Sequence, residues 1–167
     1  VDALGDHLVR LLLIAGALVN DAHAAPADDG LRLAGDPTEA ALLVAAIKAG
    51  LDPAALRLVW PRRREIPFDP AVRLMTTFHE SPEGRRVLFV KGGPGAVLDL
   101  CTRRESADGR APMTDVERES VRAANDALAT DALRVLAVAW RPEGWPDDGL
   151  PADLVFLGLV GLADPVR

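Results

Sequence analysis

The sequence predicts an α+β fold, with a mainly antiparallel β-sheet flanked by helices. Three observations lead to this fold class: helix-start signatures at 36–39 and 114–117, a hairpin of two strand-like segments at 73–90, and two further strands with no helix between them. Regular alternation of strands and helices, which would indicate a parallel sheet, is absent. The chain of 167 residues fits one domain with a substantial core.

The first third of the chain predicts two helices. Apolar residues recur at helical spacing over 6–19, and the polar, alanine-rich segment 20–29 predicts a loop. In the second helix, Asp36 is placed to cap the N-terminus, and the proline after it fits the first helical position. Glu39 then completes a capping box. Gly50 suits the end of this helix.

The middle of the chain predicts strands. Residues 58–66 favour a strand broken by prolines, whereas 73–79 alternate as a strand does. The Ser-Pro-Glu-Gly sequence at 81–84 is typical of a turn, and 86–90 is the returning strand of a hairpin. A short helix is predicted over 94–101, opened by a proline.

The last third of the chain predicts one long helix and two strands. A second capping box, Thr114 with Glu117, starts the helix. The remaining predicted segments are a loop at 106–110, strands at 135–140 and 154–160, and a Pro/Gly/Asp loop at 141–149 between them.

Charge and cysteine content exclude several classes of function. A net charge of −6 argues against a nucleic-acid partner, and the basic run 62–64 is interpreted as a solvated stretch before a strand. The single Cys101 excludes an internal disulfide and a multi-cysteine metal site. His7, His23 and His79 lack metal-ligand spacing, so no metal ligands are predicted.

Two apolar segments resemble membrane or export signals. Residues 8–19 are too few to span a bilayer and carry Arg10, and 154–162 suit a buried strand, so no membrane span is predicted. With the Ala-His-Ala sequence at 22–24, however, the first segment imitates a signal peptide. This leaves the alternative of a small secreted binding protein cleaved after Ala24, which fails if 8–19 form a packed helix.

Five sequence blocks stand out in order along the chain: 35–42 (GDPTEAAL), 66–75 (IPFDPAVRLM), 90–94 (VKGGP), 132–139 (ALRVLAVA) and 156–167 (FLGLVGLADPVR). Taken together, they resemble the nucleotide-binding domain of P-type cation-transporting ATPases, in the bacterial calcium- and sodium-pump-like branch. The heavy-metal branch of that superfamily uses a His-Pro pair, which does not occur in this sequence. The resemblance covers the chain from end to end and implies a single nucleotide-binding domain over 1–167, with 163–167 as its return hinge to a phosphorylation domain.

The resemblance implies three principal nucleotide contacts. Phe68 matches the aromatic residue that stacks on adenine, an interaction worth about 1–3 kcal/mol; the alternative is a core phenylalanine at a strand start. Lys91 matches a lysine deep in the pocket, where a compact ammonium approaches the nucleotide. Arg134 matches an arginine that binds phosphate oxygens, with a strand-edge salt bridge as the alternative.

Five further residues complete the site that the resemblance implies. Arg73 replaces a family lysine that faces the nucleotide, and Met75 corresponds to an apolar wall of the pocket. Glu39 corresponds to an acidic residue near the adenine amino group, although it already has a capping role, and Thr38 lies beside it. Gly92 is the glycine that follows the motif lysine.

The sequence also departs from the family pattern. Gly93 and Gly95 stand where the family has alanine and glutamate, Ala132 replaces a glycine at a helix end, and Val166 replaces a proline. None of these changes removes an implied nucleotide contact.

A P-loop motif is absent from the sequence. The resemblance implies ATP as the ligand, bound in the family's manner and as Mg-ATP in the complete pump. The family positions the γ-phosphate against an aspartate of the phosphorylation domain. That aspartate lies in an Asp-Lys-Thr-Gly-Thr motif that this sequence lacks, so the chain is expected to bind ATP without hydrolysing it, and no catalytic residue is assigned.

The implied partners are the phosphorylation and actuator domains of the same polypeptide, at the cytoplasmic face of the cell membrane. The family's enzyme activity, ATP hydrolysis coupled to cation transport, belongs to the full-length pump. The alternative is a degenerate domain that acts as a scaffold or regulatory module without binding a nucleotide.

Overall fold

The fold was analysed in a computed structural model that describes residues 3–163, with side chains from residue 7 onwards. The helices are α1 Ala3–Leu18, α2 Pro37–Lys48, α3 Pro53–Val59, α4 Pro94–Leu100 and α5 Asp115–Thr130. The strands are β1 His23–Ala27, β2 Gly30–Ala34, β3 Arg62–Asp69, β4 Leu74–Glu80, β5 Arg86–Gly92, β6 Cys101–Ser106, β7 Gly109–Pro112, β8 Arg134–Arg141 and β9 Leu154–Leu162. The predicted return hinge at 163–167 lies outside the described residues, apart from Ala163.

Seven strands form one sheet in the order β3-β4-β5-β8-β9-β6-β7. Every neighbouring pair is antiparallel except β6 with β9, which is parallel. Strands β1 and β2 form a separate antiparallel hairpin. The predicted α+β class with a mainly antiparallel sheet is therefore confirmed.

Helices cover both faces of the large sheet. On one face, α4 and α5 pack over a core that includes Phe78, Leu88 and Leu154. On the other, α1 and α3 pack over a core that includes Met75 and Phe89. Alternation along the strands sends successive side chains to opposite faces, which is why two cores share the same strands. A third cluster joins α1 to α2 and places α2 beside the sheet.

The two predicted helix starts differ in how they are capped. The Thr114 and Glu117 capping box of α5 is complete. At α2, the Asp36 side chain accepts hydrogen bonds from the backbone N–H groups of Thr38 and Glu39, at 2.9 and 3.3 Å. The Glu39 carboxylate does not accept a hydrogen bond from the Asp36 backbone N–H, as a capping box requires. It contacts Asp21 and Lys91 instead. The prediction that Glu39 is a capping residue is therefore wrong.

Five short elements, the four strands of two hairpins and one helix, were not predicted from the sequence. The predicted loop at 20–29 contains β1, and the predicted loop at 106–110 is the turn region of the β6–β7 hairpin. These strands are short and mostly exposed, so no apolar alternation marks them. Helix α3, capped by Asp52, occupies part of the predicted strand 58–66, and β3 begins only at Arg62.

The basic run 62–64 is not simply a solvated stretch. Arg62 donates to the backbone carbonyls of Leu18 and Asn20 at 3.0 and 2.8 Å, which satisfies groups at the end of α1. The Arg64 guanidinium lies over the Phe78 ring, 4.8 Å from its centroid. The solvated interpretation is therefore wrong for Arg62, which is half-buried, whereas Arg63 and Arg64 are exposed.

Helix α1 is part of the folded core. Ala15, Leu18 and Val19 are each at most 1% exposed and pack against the sheet. The secreted alternative is wrong by its own criterion, because cleavage after Ala24 would remove this packed helix. Among residues 3–163, no helix is both long enough and apolar enough to cross a membrane.

Helix α5 ends through a residue in the left-handed region. Ala132 has φ 58°, a conformation that favours glycine. We expect Ala132→Gly to raise the free energy of unfolding by about 1 kcal/mol in urea titrations, because it removes this strain. The matched control is Ala124→Gly at an exposed position within α5, which we expect to lower it by about 1 kcal/mol. A loss of stability in both variants would contradict the strain argument.

Candidate functional site

Lys91, one of the predicted site residues, is buried at the end of β5. It pairs with Met75 on β4 and with Val138 on β8. Directly paired residues present their side chains to the same face, so Lys91 shares the face on which α1 packs. Met75 is 2% exposed and belongs to the core there, beside Lys91.

The Lys91 ammonium is paired with the Glu39 carboxylate near the start of α2. The two side chains are 8% and 14% exposed, so the ion pair is largely removed from water. Burial lowers the pKa of Lys91, while the hydrogen bond and the negative charge of Glu39 oppose that shift. The second Glu39 oxygen accepts a hydrogen bond from the Asp21 backbone N–H at 3.3 Å. A buried ammonium and its counterion are thus held between a strand end and a helix start.

Arg134 also contacts α2, at the residue before Glu39. Its guanidinium donates to the Thr38 hydroxyl at 2.9 Å, and the Arg134 side chain is exposed. On β8, alternation places Arg134 on the same face as Val138, which pairs with Lys91. Consecutive residues of α2, Thr38 and Glu39, therefore hold two cations from neighbouring strands.

The backbone of Arg73 lies directly against Gly92 at the same end of the sheet. Arg73 has φ 57°, and its carbonyl accepts a hydrogen bond from Gly93 N–H at 3.1 Å. A Cβ on Gly92 would lie 2.0 Å from that carbonyl oxygen, so only glycine fits. The Arg73 side chain passes over Gly93, with its Cδ 3.7 Å from where a Cβ would stand.

Phe68 lies on the edge strand β3, where Asp69 pairs with Leu74 of β4. Its side chain is 55% exposed, so it is not a core phenylalanine. Stacking on a base needs an exposed ring face of this kind. None of the described aromatic or cation–ring contacts involves Phe68. The structure therefore joins Lys91 to Glu39 and Arg134 to Thr38, but it does not join Phe68 to either pair.

An open cleft of about 1110 Å³ runs beside α2. Thr38 and Arg134 are on its wall, together with apolar residues of α2, whereas Lys91 and Phe68 are not. Its volume is sufficient for a nucleotide. Among the described side chains, no group of three or more His, Cys, Asp or Glu is arranged to hold a metal ion.

One contact of the candidate site was not predicted from the sequence. The Asp21 backbone N–H binds Glu39 across 18 positions of the chain. No local pattern signals such a contact, because it depends on how α1 and α2 pack.

These features define an α+β domain with a buried ion pair and a second cation at one end of a mainly antiparallel sheet. The family model described as "P-type ATPase, cytoplasmic domain N" matches residues 8–167. The chain belongs to this family.

Curated relatives agree with that assignment. "Probable cation-transporting ATPase F" of Mycobacterium tuberculosis (strain H37Rv) is 37% identical over 166 residues, covering 95% of this chain and 18% of the relative. "Calcium-transporting ATPase" of Bacillus subtilis is 36% identical over 164 residues, with the same two coverages. The human "Calcium-transporting ATPase type 2C member 1" is 33% identical over 162 residues, covering 95% and 16%. The chain thus spans less than a fifth of the length of these relatives.

Proposed function

We propose that this chain binds ATP at the end of the sheet formed by β4, β5 and β8. The observation that carries the proposal is the convergence of Lys91 and Arg134 on the consecutive residues Thr38 and Glu39. Two cations beside an apolar wall suit a ligand with both a flat base and a charged tail. Family membership supports the same ligand.

Each proposed contact follows from the chemistry of the side chain. Arg134 is exposed and planar, so its guanidinium is suited to bind two phosphate oxygens once it leaves the Thr38 hydroxyl. Lys91 is buried and keeps a point charge near the base, while Glu39 is an acceptor for an amino group. Phe68 offers an exposed ring for stacking.

The remaining proposed contacts lie where the start of β4 meets the end of β5. Arg73 supplies a further cation, and its left-handed backbone is held against Gly92 and Gly93. Met75 forms the apolar wall beside Lys91. ATP supplies the γ-phosphate for transfer; this chain's part is to hold and orient the nucleotide.

We further propose that residues 1–167 are one nucleotide-binding domain of a longer cation-transporting ATPase. In that protein, the domain would deliver the γ-phosphate of Mg-ATP to an aspartate of a phosphorylation domain at the cytoplasmic face of the cell membrane. The names of the relatives support cation transport and ATPase activity for the whole protein. The fragment carries no Asp-Lys-Thr-Gly-Thr sequence, so it is proposed to bind ATP without hydrolysing it.

One observation favours a second candidate, a scaffold without a nucleotide. Lys91 and Arg134 are both already bonded to residues of α2. A domain whose cations are satisfied internally does not require a phosphate ligand. This alternative predicts that ATP causes no saturable change at either cation.

Phe68→Ala separates the two candidates. We expect about a tenfold weaker affinity for ATP, because base–aromatic stacking contributes about 1–3 kcal/mol. NMR titration with ATP, ADP and GTP measures it, with adenine-selective shifts expected around Lys91 and Arg134 in the unsubstituted chain. Leu58→Ala, which removes another exposed apolar side chain, is the control and should leave the affinity unchanged. A folded domain with no saturable shifts would support the scaffold.

A further inference from the structure

Asn20 occupies a buried position between α1 and α2, and the proposed function gives it no role. Its side chain is 1% exposed. The amide nitrogen donates to the Gly16 carbonyl at 3.2 Å and to the Glu39 carbonyl at 2.9 Å. The amide oxygen accepts from the Ala22 N–H at 2.9 Å. One side chain therefore ties the end of α1, the turn after it and the first turn of α2 together.

The turn that Asn20 begins also reaches the Glu39 side chain. Asp21, the next residue, donates its backbone N–H to the Glu39 carboxylate at 3.3 Å. The turn is fixed from outside as well. Arg57 donates to the Asn20 and Ala22 carbonyls at 3.1 and 2.7 Å, and Arg62 donates to the Asn20 carbonyl at 2.8 Å. Both the backbone and the carboxylate of Glu39 are thus held by residues 20–21.

Glu39 has a competing use on its own helix. At the third position of α2, its carboxylate is placed to bond the backbone N–H of Asp36 and complete a capping box. It turns to Lys91 and Asp21 instead. The bond from the Asp21 backbone N–H exists only in this second arrangement and stabilises it relative to the capped one. Asn20 supports that bond indirectly, because its amide fixes the turn that carries Asp21 against the backbone of Glu39.

We propose that Asn20 is a positioning residue that holds the Glu39 carboxylate toward Lys91 and thereby sets the preference for adenine over guanine. The consequence for selectivity rests on the proposed ATP site. The placement of Glu39 beside Lys91 does not, since it is a property of the chain without a ligand. An amide of this size is needed, because the nitrogen must reach the Gly16 and Glu39 carbonyls at once.

The variants Asn20→Ser and Asn20→Ala test the proposal. Serine still accepts a bond from the N–H two residues on and so preserves the turn, but it is too short to reach Glu39. We expect about a tenfold weaker ATP affinity in both variants and a reduced ATP-to-GTP affinity ratio, measured by NMR titration. The matched control is Asn125→Ala on α5, at the only other asparagine in the chain. Its ATP affinity and its ATP-to-GTP affinity ratio should equal those of the unsubstituted domain.

A double-mutant cycle separates positioning from general destabilisation. If Asn20 acts through Glu39, adding Asn20→Ser to Glu39→Ala should change ATP affinity by less than about twofold. The proposal would be overturned if Asn20→Ser weakened the affinities for ATP and GTP equally and caused the same loss again in the Glu39→Ala background. Unchanged affinity and selectivity in Asn20→Ser would also overturn it.

A measurement made without nucleotide tests the placement of Glu39 even if the chain does not bind ATP. The chain has only two lysines, so a spectrum of the chain with ¹³C-labelled lysine contains two sets of signals, and Lys48→Arg identifies that of Lys91. Asn20→Ser should shift the Lys91 signal in the same direction as Glu39→Ala, and Asn125→Ala should not move it. If the unsubstituted chain binds no ATP, the ATP site is wrong, and this spectrum alone decides whether Asn20 positions Glu39. An unmoved Lys91 signal in Asn20→Ser would reject that placement.

Discussion

Glu39→Ala is expected to lower the free energy of unfolding by about 3 kcal/mol near neutral pH, because it leaves the Lys91 ammonium buried without its counterion. Urea titration followed by circular dichroism measures this loss. The double variant Glu39→Ala with Lys91→Met removes both charges and should be more stable than Glu39→Ala alone. Equal stability of the two variants would mean that water already solvates the Lys91 ammonium.

The same variant should show a pH dependence with a defined sign. Burial lowers the Lys91 pKa from its ordinary value of 10.5, and Glu39 opposes that shift, so its removal lowers the pKa further. Between the lowered pKa and 10.5, the unfolded chain holds more protons than the folded one, so the free energy of unfolding rises with pH. The deficit of Glu39→Ala should therefore shrink as the pH approaches 10.5. A deficit that grows over this interval would contradict the assignment to Lys91.

Gly92→Ala should destabilise the domain by about 3 kcal/mol and abolish ATP binding. The added methyl group would meet the Arg73 carbonyl oxygen at 2.0 Å, and that carbonyl is held by Gly93 N–H, so the end of the β4–β5 hairpin must move. Lys91, the preceding residue, would move with it. Thermal unfolding and the ATP titration together measure both effects.

The neighbouring glycine supplies the matched control. A Cβ on Gly93 would meet only the Arg73 side chain, at 3.7 Å, and its φ of −59° suits any residue. Gly93→Ala should therefore stay within about 1 kcal/mol of the unsubstituted chain and keep ATP binding. Similar losses at both positions would show that the hairpin end tolerates no side chain, rather than that one carbonyl excludes it.

Much of the fold was predictable from local chemistry. The Asp36 cap, the Thr114 capping box and the hairpin of β4 and β5 each have a signal in the sequence and each formed. The β1–β2 and β6–β7 hairpins were not predictable in this way, because their short strands gain pairing without burying an apolar face.

The candidate site was predictable as a set of residues and not as a set of contacts. The sequence blocks named Lys91 and Arg134, but nothing local indicates that the first would pair with Glu39 and the second with Thr38. These partners are 52 and 96 positions apart, so only the packing of α2 against the sheet brings them together. The proposed role of Asn20 was not predicted from the sequence for the same reason.

The place of β9 within the sheet has a consequence for how the chain folds during synthesis. This last described strand lies between β8 and β6, so the hairpin of β6 and β7 has no backbone pairing with the rest of the sheet until residues 154–162 arrive. Before then, β8 and β6 each present an unpaired edge, which is a template for association with other chains. A nascent chain that ends before residue 154 therefore carries every residue of the candidate site while its sheet is still open.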